Sequence, residues 1–237
     1  MKEKHSDIIV ALDMDLGEAK EIVHELGDLI SMYKVGLELF LQSGKEILAF
    51  LHQEQKGVFL DLKLHDIPNT VKEATLNIIS YPNVMLYTLH ASGGANMIRA
   101  SVHASRNSSV LPIAVTVLTS FTTEEWQEVF PLPNVHESAV ALARYACNAG
   151  AKGVVCSAHE VAAIKQAVGT SCITVCPGIR PSGSAQQDQK RIVTPSEAIE
   201  NGADYLVMGR PITEAYSPRD AVKDILKEVE QAKRHRK

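Results

Sequence analysis

Residues 58–70 read VFLDLKLHDIPNT, placing Asp61, Lys63 and Asp66 in an otherwise apolar run. If residues 58–63 alternate as a strand does, Asp61 and Lys63 share one face and Leu60 and Leu62 the other. Asp66 follows just before Ile67-Pro68, where the strand should end and a helix begin. Taking an ion out of water costs several kcal/mol even after relaxation, so charges set among Val, Phe and Leu must neutralise one another or do chemistry. A lysine buried alone gives up its proton, whereas flanking carboxylates hold it as an ammonium. An ammonium fixed between acids can oppose a developing negative charge and hand over a proton.

Such a group needs a rigid support, and the rest of the chain supplies a repeating one. Apolar, β-branched runs predict strands at 8–12, 32–35, 58–62, 85–89, 113–117, 153–156, 173–176 and 205–208. Helical patterns follow them at 16–26, 44–52, 69–79, 95–105, 135–148, 159–168, 195–201 and 218–232, with Gly27, Gly150 and Gly202 as helix-terminating residues. Eight strand–helix units in 237 residues predict an α/β protein, a single (β/α)8 TIM barrel filling residues 1–237 as one catalytic domain. An open doubly wound sheet is the fallback, but no GxGxxG follows the first strand. Residues 119–133 read as a loop with a short extra helix. Residues 181–190, PSGSAQQDQK, have nothing to bury and read as a mobile lid after the seventh strand.

In a barrel the chemistry belongs at the C-terminal strand ends. Those ends carry Asp13, Lys34, the Asp61/Lys63/Asp66 set, His90, Thr119-Ser120, Pro177-Gly178-Ile179-Arg180 and Gly209-Arg210. Singly each is weak, since Asp13 could be a helix N-cap and His90 a packed, hydrogen-bonded core histidine; His65 and His103 carry no stronger signal. The loops after strands seven and eight often hold phosphate in barrels, and here both pair glycine with arginine. Glycine lets the backbone approach an anion, and the guanidinium fork fits phosphate. A phosphorylated small molecule is the expected substrate.

Composition excludes several other classes. With 45% hydrophobic and 22% charged residues and a net charge of −4, the chain has a sizeable core and no basic surface for nucleic acid. Its one basic cluster, Lys233 to Lys237, reads as a solvated helix end. The five-residue apolar stretch before Asp13 is too short for a signal peptide, and no run approaches membrane-spanning length. Cys147, Cys156, Cys172 and Cys176 form no CxxC pair and read as buried free thiols, so a soluble cytoplasmic protein is expected.

The motifs resemble those of the orotidine 5′-monophosphate decarboxylase family, which carries out the last step of UMP synthesis. Its signature D-x-K-x-x-D-I-P-x-T stands here as Asp61, Lys63, Asp66, Ile67, Pro68 and Thr70. The likeness continues through ALD at Asp13, YKVG at Lys34, VTVLTS at Thr119-Ser120, PGIRP at Arg180, DQKR at Gln189 and GRPI at Arg210, with no departure at a motif position. The resemblance implies that Lys63 protonates C6 of the pyrimidine and that Asp61 lies beside the substrate carboxylate. It implies that Lys34 and Asp13 hold ribose hydroxyls and extend the charged network. Thr119 and Ser120 would face the pyrimidine amide edge, with Ile67 and Pro177 also in the substrate-binding set. Arg180, Gln189, Gly209 and Arg210 would hold the phosphate, Gln189 from the lid. Asp66, counted with the catalytic group, and Thr70 would reach the neighbouring subunit's site in a homodimer. No pyridoxal-lysine, thiamine or metal motif is evident in the sequence, so no metal and no cofactor is expected. Because related sugar-phosphate decarboxylases and lyases share D-x-K-x-x-D, a magnesium enzyme using Asp61 and Asp66 stays open, as does a nucleotide-binding barrel without catalysis.

Overall fold

The computed structural model describes residues 7–130, 134–181 and 193–235. Eight parallel strands pair in sequence order and the last closes on the first: β1 (Ile8–Ala11), β2 (Met32–Gly36), β3 (Gly57–Leu64), β4 (Val84–His90), β5 (Leu111–Val115), β6 (Gly153–Val155), β7 (Ile173–Cys176) and β8 (Tyr205–Met208). The helices are α1 (Leu16–Leu26), α2 (Leu37–Ser43), α3 (Lys45–Gln53), α4 (Pro68–Ile78), α5 (Ala95–Ser105), α6 (Thr123–Val129), α7 (Val135–Asn148), α8 (Val161–Val168), α9 (Pro195–Glu200), α10 (Arg210–Thr213) and α11 (Pro218–His235). The fold is therefore a (β/α)8 barrel, as the spacing of apolar runs predicts.

Strand alternation sorts each strand's residues between two cores. Ile9, Ala11, Met32, Phe59, Leu86, Ile113, Val175 and Val207 fill the barrel. Their neighbours Ile8, Val10, Tyr33, Leu60, Tyr87 and Leu206 face outward and pack with the helices. Each such side chain contributes roughly 1.5–3 kcal/mol when fully buried, so the register is strongly specified. Carrying the inward rows one pleat further turns apolar into polar: Ala11 leads to Asp13, Met32 to Lys34, Phe59 to Asp61 and Leu86 to Thr88. The barrel is greasy at its floor and charged at its mouth. Gly153 marks the tightest interior approach, since a side chain there would collide with the Ile173 carbonyl of β7.

Several boundaries differ from the sequence reading. The expected helix 44–52 is α3, and an additional helix, α2, precedes it, with Gly44, at φ +49°, as the joint between them. α2 escapes the periodicity because its Leu37 and Leu41 face solvent. α10 begins Arg210-Pro211, and proline here occupies the first turn, where its missing N–H has no helical partner to lose. The helix expected at 159–168 starts at Val161, because Ser157 to Glu160 form a turn in which the Glu160 carboxylate accepts from the Ser157 N–H at 2.9 Å. The short helix expected in 119–133 is α6, held by a reciprocal Thr122–Glu125 capping box. Gly27, Gly150 and Gly202 all adopt positive φ at or just after helix ends. The basic C-terminus continues α11 to His235, and Lys233 pairs with Asp7.

Candidate active site

The strand ends open into a cavity of about 1000 Å³ at the barrel mouth. Asp13, Lys34, Asp61, Lys63, Thr119, Ser120, Pro177, Arg180, Gly209 and Arg210 all line it. The sequence reading thus placed ten residues from six strand ends in one chamber.

At its centre Lys63 Nζ lies 2.7 Å from Asp61 Oδ2. β3 does not reach this arrangement as a regular strand. Its register with β4 steps from Leu60–Tyr87 to Leu64–Leu89, so Asp61, Leu62 and Lys63 stand opposite Thr88 alone. Lys63 takes φ +51°, a left-handed conformation that costs a non-glycine residue roughly 1–3 kcal/mol and that clusters at functional sites. The simple alternation expected for residues 58–63 therefore fails beyond Asp61. Lys63 reaches its partner through a bulge.

A second ion pair stands beside the first. Lys34 Nζ meets Asp13 Oδ1 at 2.7 Å, with Lys34 buried and Asp13 exposed. Asp13 is free for this because Asp15, not Asp13, caps α1 by accepting from the Glu18 N–H at 2.9 Å. Gly36 belongs to the same corner: a Cβ there would lie 2.9 Å from Lys34 Nζ and 3.1 Å from Asp13 Oδ1, displacing the pair. His90 ends β4 with its ring 5.2 Å from that of His65. Burial pushes the His90 imidazole below its ordinary value, and the charges of His65 and Lys63 add to this while Asp61 opposes it.

On the far side of the cavity, Arg180 is buried and donates to its neighbouring Ile179 carbonyl at 3.0 Å. Its backbone N–H donates to the Val193 carbonyl at 3.0 Å, fixing the loop after β7. Burial and the nearby Arg210 guanidinium both push Arg180 below the ordinary arginine value, with Glu214 opposing. Two mutually repelling cations stand at one end of the cavity, with Gly209 at the N-terminus of α10, an arrangement whose unbalanced positive charge suits an anion.

Three signature residues stand apart. Asp66, Ile67 and Thr70 are exposed on the stretch entering α4 and do not line this chain's cavity; Asp66 accepts from the Ile67 N–H at 2.6 Å. Within one chain Lys63 pairs with Asp61, and Asp66 does not line the same cavity. Gln189 and the expected lid, apart from Pro181, lie outside the described residues. Sequence reasoning missed Thr88 and Gly36. A lone threonine in the apolar strand VMLYTLH was the available signal for the first.

A family model described as "Orotidine 5'-phosphate decarboxylase / HUMPS family" matches residues 6–225. The chain belongs to this family. A relative from Carboxydothermus hydrogenoformans named orotidine 5'-phosphate decarboxylase is 46% identical over 230 residues, covering 94% of this chain and 95% of the relative. One of the same name from Streptococcus thermophilus is 42% identical over 220 residues, covering 92% and 94%. The crystal structure of orotidine 5'-phosphate decarboxylase from Lactobacillus acidophilus superposes with a TM-score of 0.83 at 35% identity, covering 94% of this chain and 98% of that one. Family membership agrees with the fold and with the gathering of Asp61, Lys63, Lys34, Asp13, Arg180 and Arg210 at the barrel mouth. Among the described residues no helix is long and apolar enough to cross a membrane.

Proposed function

We propose that this chain, acting as one catalytic domain, converts orotidine 5′-monophosphate to UMP and CO2 in pyrimidine biosynthesis, without a cofactor. The observation that carries the reading is the shared cavity: a lysine–aspartate pair at one end and two arginines at the other. Loss of CO2 leaves the electron pair of the broken C–C bond on C6, in the ring plane, where the π system cannot spread it. The Lys63 ammonium faces that lone pair and transfers its proton to C6; the neutral amine then regains a proton from solvent. One charge pair at 4 Å and an effective dielectric near 20 is worth about 4 kcal/mol. Enzymes lower barriers by about 8–23 kcal/mol, so a single lysine does not suffice. Asp61 adds to it by repelling the substrate carboxylate but not neutral CO2. The phosphate, gripped by Arg180, Arg210, Gly209 and Gln189, supplies binding energy that is realised in the chemical step.

The remaining assignments follow the family resemblance. Lys34 and Asp13 hold the ribose, Thr119 and Ser120 face the base, and Pro177, which lines the cavity, belongs to the substrate-binding set. Asp66 and Thr70 complete the site of a second copy in a homodimer, which their solvent-facing position and the 67% exposure of Ile67 support. The cytoplasm is the setting this reading takes, consistent with four free thiols. The test is the loss of ultraviolet absorbance when the purified chain meets orotidine 5′-monophosphate, with and without a chelator. Turnover indifferent to the chelator is expected. No turnover, or turnover abolished by the chelator and restored by magnesium, would overturn the reading.

A further inference from the structure

We infer that Thr88 is a positioning residue for the reaction: its hydroxyl clamps the bulge in β3 that aims Lys63. The inference rests on the decarboxylase reading and names a group that acts through Lys63 and Asp61.

Three residues of β3 face one of β4, so the ordinary ladder between these strands is interrupted where the catalytic pair sits. Thr88 is that one residue, and it is fully buried. Its Oγ1 accepts from the Lys63 backbone N–H at 2.8 Å and lies 2.9 Å from Asp61 Oδ1. A backbone N–H can only donate and a carboxylate can only accept, so the direction of the chain is fixed: Lys63 N–H to Thr88 Oγ1, and Thr88 O–H to Asp61 Oδ1. The other oxygen of Asp61 holds Lys63 Nζ at 2.7 Å. Lys63 is therefore tied at both ends, by its backbone and by its ammonium, into a ring closed through one threonine hydroxyl and one carboxylate.

The ring has a task because Lys63 is strained. A residue at φ +51° relaxes unless its surroundings over-determine it, and among the described residues only Gln55 shares this conformation outside glycine. Thr88 supplies both the lost ladder acceptor and the donor that fixes the rotation of the Asp61 carboxylate. Without it, the half-buried N–H of Lys63 loses its acceptor, and the ammonium loses the orientation of its only counter-charge among the described residues. A small misplacement of a proton donor lowers the chemical step far more than it lowers binding.

Thr88→Val keeps the shape and deletes the hydroxyl, and Thr88→Ser keeps the hydroxyl and deletes the methyl. With wild type run alongside on orotidine 5′-monophosphate, Thr88→Val should lower kcat by about 10- to 100-fold. It should leave KM and UMP affinity within about threefold, since the phosphate and ribose groups are untouched. Thr88→Ser should recover most of kcat. The inference is overturned if Thr88→Val keeps kcat within about threefold, if kcat and UMP affinity fall together, or if serine fails to rescue. If Thr88→Val does not fold, Thr88→Cys, with a weak thiol donor in the same volume, is judged by the same criteria. An active wild type with an unaffected Thr88→Val sinks this inference alone. A wild type inert toward the nucleotide sinks the decarboxylase reading, and this inference with it.

Discussion

Two lysine–aspartate–threonine clusters stand out among the described residues, and one of them opens on the cavity at the barrel mouth. At the mouth stand Lys63, Asp61 and Thr88. At the opposite end, where β7 and β8 begin, Lys165 Nζ lies 2.6 Å from Asp204 Oδ2, and Asp204 also accepts from the Thr174 N–H at 2.7 Å and the Thr174 hydroxyl at 2.9 Å. The residue types are the same and the ion-pair distances nearly so. The difference lies in what is left over. Lys165 also donates to the Cys172 carbonyl at 2.6 Å and the Thr170 carbonyl at 3.3 Å, so its three protons are all placed. Lys63 Nζ meets only Asp61 among the described residues, and its side chain faces the cavity. A saturated ammonium is a rivet between helix and strands, whereas one with donors to spare and a strained backbone is poised for a substrate.

The sharpest way to break this contrast is to remove each lysine in turn. Lys63→Ala should lower turnover by at least about 10⁴-fold, since both the proton donor and the opposing charge are lost, while UMP still binds and the melting temperature holds. Lys165→Ala should do the reverse: turnover per folded molecule stays within about twofold while the melting temperature falls by roughly 3–10 °C. Steady-state kinetics and thermal unfolding of the two variants decide it. If Lys165→Ala silenced the enzyme without destabilising it, the two clusters would not differ as argued. A step down in size, Arg210→Ala tests whether the anion seat serves chemistry as well as binding. KM should rise and kcat/KM fall by about 10²- to 10³-fold, with kcat itself reduced. An unchanged kcat would reduce the phosphate to an anchor.

The same contrast explains what could be read from the sequence. The barrel was legible because β-branched runs recur at even spacing, and the signature residues because charges in such runs are conspicuous. The two clusters could not be told apart that way. Lys165 sits in a helical pattern, and its saturation depends on carbonyls that only the fold brings to it. Thr88 matters through a register step between β3 and β4, and register is a property of two strands. Asp13 and Asp15 compete for one cap, and only backbone geometry gives it to Asp15 and leaves Asp13 for Lys34. Asp66 and Thr70 face out of the single chain, and only in the proposed homodimer would a second copy give them a use.

The smallest expected effect concerns the histidine beside the mouth cluster. His90 is held below its ordinary value of 6.5 by burial first, then by His65 and Lys63, with Asp61 pulling the other way. Between that depressed value and 6.5 the unfolded chain binds a proton that the folded chain refuses. Stability contributed by the neutral ring is therefore full above the ordinary value and is lost as pH falls through the folded one. The thermal midpoint of the wild type should drop more steeply between about pH 7 and pH 5 than that of His90→Asn, which has no ring to titrate. Lys165→Ala, far from this ring, should keep the wild-type slope while lowering the whole curve. If His90→Asn and wild type ran parallel, the mouth would owe no pH dependence of its stability to His90, and the charge balance around Lys63 would rest on Asp61 alone.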